Sequence, residues 1–91
     1  MVYHISYDLC ESHKDYDALY KAIKDLGDWC HPVDSDSTWY VNTDLNVEIV
    51  RNRLKAVMDS DDKLIVSTAT APGAWYNLSD KVSQWFKKYL I

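Results

Sequence analysis

Ninety-one residues, 47% of them hydrophobic with only two glycines and two prolines, make a folded domain with room for one core and exclude a disordered tail. A net charge of −4 excludes a protein that coats nucleic acid through a basic stripe. No apolar run approaches the length of a membrane span. With no export-type segment ahead of the first strand, Cys10 and Cys30, which lack CxxC or metal-type spacing, read as reduced thiols of a cytoplasmic protein.

The first strand runs from Val2 to Leu9. Val2, His4, Ser6 and Asp8 point to one side and Tyr3, Ile5, Tyr7 and Leu9 to the other, because successive side chains alternate across a strand. The second set is core, and the first is mostly polar. Asp15 is placed to cap a helix in which Tyr16, Leu19, Tyr20, Ile23 and Leu26 recur at helical spacing, and Gly27 stops it. A second strand spans Trp29 to Val33. Pro32 removes a ladder donor from it, which predicts an edge position. Turn chemistry at Asp34-Ser35-Asp36-Ser37 leads into a β-rich run from Thr38 to Thr43. Asp44 or Asn46 then caps a second helix with Val47, Val50, Leu54, Val57 and Met58 along one stripe. The loop Asp59-Ser60-Asp61-Asp62 precedes a strand from Lys63 to Thr70 with Leu64 and Val66 on one face, and Ala71-Pro72-Gly73 breaks it. A last helix, capped by Ser79, buries Val82, Trp85, Phe86 and Leu90.

The order β-α-β-β-α-β-α is solved most economically by a single α+β, ferredoxin-like antiparallel sheet with two packed helices and an extra C-terminal helical segment over about 74–91. That arrangement puts the first and third strands in the centre and the second and fourth at the edges. It also brings Asp8, Glu11, Asp34, Asp36, Asp59, Asp61 and Asp62 to one pole of the molecule, where they would attract a cation or a basic protein.

Asp8, a carboxylate at the end of a central strand, is the candidate catalytic and metal-binding residue. It is placed to hold a divalent cation such as Mg²⁺ or Mn²⁺ that polarises a phosphodiester, and its alternative role is to order the following turn. One carboxylate makes a poor metal site, so a symmetry mate or the acidic pole must complete it. His4, Ser6 and Asp8 stand about 7 Å apart at each step along one strand, which rules out a nucleophilic triad within it. The acidic loop over 59–62 lacks the central glycine and distal glutamate of a calcium loop. Asp34, Asp36, Asp59, Asp61 and Asp62 are the partner-binding candidates, and His4, Ser6, Tyr40, Trp75 and Tyr76 the candidates for a dimer or sheet-face contact. Trp75 and Tyr76 also read as a hydrophobic staple onto Trp85. His13 and His31 read as surface or edge-strand histidines. Four tryptophans and seven tyrosines are many for one small core, which suggests an aromatic-rich partner surface, or aromatics that rim the core with their polar atoms wet.

The opening His4-Ile5-Ser6-Tyr7-Asp8-Leu9, the element order, and Asp61-Asp62-Lys63-Leu64-Ile65-Val66 resemble the small ferredoxin-like CRISPR-associated nucleases, whose fold the virulence-associated protein D toxins share. The chain is also similar to short bacterial and phage proteins with the same opening, a Ser37-Thr38-Trp39-like strand, and a terminal Leu78-Ser79-Asp80-Lys81 followed by an aromatic. The resemblance implies a homodimer in which two Asp8 residues hold Mg²⁺ or Mn²⁺ for cleavage of nucleic acid. The competing expectation is a non-enzymatic acidic protein from a phage or mobile element that docks on a basic host or defence protein.

Overall fold

A computed structural model describes residues 1–10, 16–33 and 36–91. Four strands, β1 (Val2–Asp8), β2 (Asp28–Cys30), β3 (Thr38–Asn42) and β4 (Lys63–Thr68), form one antiparallel sheet in the order β2-β3-β1-β4. The first and third strands are therefore central and the second and fourth are edges, as their sequence suggests. β1 carries the register, with Tyr3 opposite Val41 on one side and Thr68 on the other. Helices α1 (Asp17–Lys24), α2 (Val47–Lys55) and α3 (Asp80–Tyr89) complete the elements of the described residues.

The period-two alternation of β1 divides the buried residues into two cores, one on each face of the sheet, where the length of the chain suggested room for one. Tyr3, Ile5 and Tyr7 join Trp39 and Val41 beneath Leu19 and Ile23 of α1 and Val50 and Leu54 of α2, with Leu64 and Val66 packed at the margin. Val2, Cys30 and Tyr40 belong to the other face, where Val82, Phe86 and Leu90 of the α3 segment close over them. The last helix thus covers part of the mostly polar face of β1. Its 10 residues are held at the start by Ser79, whose hydroxyl accepts the Val82 N–H at 3.2 Å.

Several boundaries differ from the pattern reading. β2 ends at Cys30, before Pro32, because proline has no N–H for the ladder and restricts the residue ahead of it. The cap expected at Asp15 lies outside the described residues, and Tyr16 at the start of α1 makes no capping side-chain bond. Asn46, rather than Asp44, caps α2 by accepting the Ile49 N–H at 2.9 Å. Only Val50 and Leu54 of the α2 stripe are buried; Val47 and Val57 are exposed and Met58 is half-buried.

Candidate functional site

Strand direction makes the acidic pole. β1 ends where β3 and β4 begin, since Ser6 pairs with Thr38 and Asp8 with Lys63. The Tyr7 N–H extends that contact by donating to the Ser37 carbonyl at 3.3 Å. Beyond Asp8, the chain is tied to the α2–β4 loop. Asp62 accepts the Cys10 N–H on Oδ1 at 3.0 Å and the Asp59 N–H on Oδ2 at 2.9 Å, while the Cys10 thiol donates to the Asp61 carbonyl at 3.4 Å. Asp36 accepts its neighbour's Ser37 N–H at 2.7 Å on its own carboxylate. Asp8, Asp36, Asp59 and Asp61 are exposed and Asp62 is half-buried. Asp34 and Glu11 lie outside the described residues.

The carboxylates are gathered, yet they do not share one coordination sphere. Among the described residues no three His, Cys, Asp or Glu side chains converge as a metal site. Asp8 faces Lys63 across the strand pair, and Asp62 spends both oxygens on backbone N–H groups. The described carboxylates of one chain therefore do not by themselves make the donor set of a divalent cation, which takes about six oxygens in close approach.

The face candidates separate. His4 is half-buried and meets the Tyr40 ring edge-on, with centroids 5.3 Å apart. Tyr40 in turn packs edge-on against Phe86 at 5.1 Å. Desolvation, then the nearby Cys30, raises the Tyr40 hydroxyl above its ordinary pKa. Tyr40 is thus packed, half-buried, against the second core. Ser6 is half-buried beside the edge strand, where Ile65, its β4 partner, is 64% exposed. Trp75 packs on Phe86 at 5.3 Å and donates its indole N–H to Ser83 Oγ at 3.1 Å, so the staple reaches Phe86 instead of Trp85. Tyr76 takes no part in it, being 92% exposed.

Composition and spacing did not disclose a second feature, at the opposite edge of the sheet. A cleft of about 710 Å³ follows β2, with Lys24 and Trp29 on its α1 side and Lys81, Val82 and Trp85 on its α3 side. Lys24 places its ammonium 4.8 Å from the centre of the Trp29 ring. His31 stacks on buried Trp39, with centroids 3.9 Å apart and planes 8° from parallel. Its Nε2 lies 2.7 Å from the Asp36 carbonyl and so must donate to it, which makes Nδ1 the acceptor of the neutral ring. Asp28 accepts the Trp85 indole N–H on one oxygen and the Tyr89 hydroxyl on the other, with Lys88 at 3.8 Å. Burial and the charge of Asp28 push the Cys30 thiol up to about 11, so it is an inert thiol at neutral pH. The residues of this cleft come from four separate segments. The one hint in the sequence was a tryptophan on an edge strand.

Comparison of the chain with protein families, curated proteins and solved structures returns no match. No helix among the described residues is long and apolar enough to cross a membrane.

Proposed function

We propose that the chain is a ferredoxin-like binding module whose acidic pole docks on a basic protein. The strand order β2-β3-β1-β4, with a helix between β1 and β2 and another between β3 and β4, supports that fold. The observation that carries the functional reading is the loop staple. Asp62 fixes the 8–10 segment against the 59–62 loop, and this ordering holds Asp8 and Asp61 on one exposed surface. A fixed arrangement of like charges focuses its field on an oppositely charged partner and sets register and encounter rate.

The experiment compares three forms of the protein as bait in a cell extract of its source, with quantitative mass spectrometry. The doubly reversed Asp8→Lys/Asp61→Lys form leaves the Asp62 staple in place, and Asp44→Lys reverses a charge at the opposite end. A basic protein enriched by the wild type and by Asp44→Lys should fall at least about tenfold with the double variant, and its binding should weaken steeply with salt. Equal enrichment by all three forms defeats the reading.

A metal-dependent phosphodiesterase is the second reading, favoured by the exposure of Asp8 at a strand end. It requires a second copy. Two chains paired through their β4 edges would hold their β1 strands three strand spacings apart, about 14 Å, whereas Mg²⁺–oxygen bonds are about 2 Å. A shared metal therefore demands a homodimer that brings the strand ends or the sheet faces together. Cleavage of RNA or DNA with Mg²⁺ or Mn²⁺ that Asp8→Asn abolishes would put this reading first.

A further inference from the structure

We infer that the β2-edge cleft is a binding site for a small planar aromatic anion, meaning an aromatic ring carrying one carboxylate or phosphate. The inference is independent of the acidic pole. Its volume of about 710 Å³ lies within the range of sites that enclose small ligands. The lining is an unusual combination. Trp29 is 38% exposed although an indole is among the most favourable groups to bury, and Trp85 is only half-buried across the cleft.

Charge selects the ligand class. Lys24 and Lys81 both line the cleft, and neither has an ion pair among the described residues. The one carboxylate among the described lining residues is Asp28. The Trp85 and Tyr89 hydrogen bonds and the Lys88 ammonium already occupy and neutralise it. A chain of net charge −4 thus keeps a locally positive, aromatic-walled recess. An anion drawn to Lys24 has its adjoining atoms beside the Trp29 indole, because the ammonium itself sits 4.8 Å from that ring. An aromatic substituent there gains stacking area and displaces water from the exposed indole. With Nε2 bonded to the Asp36 carbonyl, Nδ1 of the neutral His31 ring offers a place for a ring N–H or hydroxyl.

The test uses the full chain, labelled with ¹⁵N, and follows the four indole N–H signals in NMR titrations. Trp29 and Trp85 line the cleft, whereas the Trp75 indole is bonded to Ser83 outside it and serves as the control. The probes are phenyl phosphate, indole-3-acetate, neutral indole and acetate. Phenyl phosphate or indole-3-acetate should move the Trp29 and Trp85 signals saturably, at least about tenfold more tightly than either indole or acetate, and whichever of the two binds better identifies the head group. Lys24→Gln/Lys81→Gln alters two exposed side chains, so its spectrum should stay dispersed. It should lose about tenfold for the aromatic anions with little change for neutral indole. Equal affinity for all four probes, shifts as large at Trp75 as at Trp29, or an unchanged affinity in the lysine variant overturns the proposal.

Discussion

Tyr7 shows how one hydroxyl can organise a core. It lies on the face of β1 that α1 and α2 cover, and its oxygen accepts the indole N–H of Trp39 at 3.0 Å in a buried contact. Desolvation drives the Tyr7 hydroxyl up to about 12, outweighing the Trp39 hydrogen bond, which acts in the opposite direction by favouring the phenolate. Tyr7→Phe keeps the ring but strands the Trp39 N–H, so it should destabilise the fold by about 1–3 kcal/mol, seen as a lower urea midpoint at unchanged slope. The alkaline limb supplies the sign. A hydroxyl whose folded pKa exceeds its unfolded value of 10.0 contributes stability that is full below pH 10 and lost as pH rises towards 12. The wild type should therefore lose more stability than Tyr7→Phe between those limits. A Phe variant as stable as wild type at pH 7 would show that Trp39 finds another acceptor.

Among the elements, β2 is the one whose sequence reading was right about position and wrong about cause. Its place at the edge was legible from Pro32, yet the strand stops before that residue. Gly27 reads in sequence as a helix stop, but its φ is not positive; what the fold needs there is space. A Cβ on Gly27 would lie 2.2 Å from the Asn42 carbonyl oxygen, in the backbone of β3. Periodicity could not disclose this, because the contact joins residues brought together only by the β2–β3 pairing of Asp28 with Asn42. The same limit explains the β2-edge cleft, whereas the core positions Ile5, Ile23 and Leu54 were legible from spacing within one element. Gly27→Ala should cost about 1–3 kcal/mol by forcing β2 away from β3. Hydrogen exchange should show lost protection at Cys30, Tyr40 and Asn42, whose N–H groups face the β2–β3 ladder, with little change at the β1–β4 pairing. An Ala variant slightly more stable than wild type, the usual result where a glycine has room, would refute the close-approach account.

At the scale of the whole molecule, the question is what fastens the second core to the sheet. The apolar stripe of α3 was legible from Val82, Phe86 and Leu90, but a stripe does not say which surface it covers. Packing supplies adhesion, and Asp28 supplies a fixed point at the β2 edge, receiving Tyr89 and Trp85 from α3 with Lys88 nearby. The Tyr89 hydroxyl above all, followed by Trp85 and Lys88, holds the Asp28 carboxyl below the usual carboxylate range, against partial desolvation. A depressed pKa means that the latch stabilises the fold fully above the unfolded value of 3.8 and loses that contribution as pH falls through the lower folded value. Asp28→Asn retains an acceptor for Trp85 but has no second oxygen for Tyr89. Because Asp28 is exposed, the loss at pH 7 should be modest, about 1 kcal/mol, or roughly 4–8 °C in Tm for a domain of this size. Melting curves at pH 7, 4 and 2.5 should show the difference shrinking once the pH falls below 3.8, since from there only the wild type takes up a proton at this position on unfolding. A difference that stays constant to pH 2.5 would mean that the shape of the side chain, rather than its charge, secures α3 to the sheet.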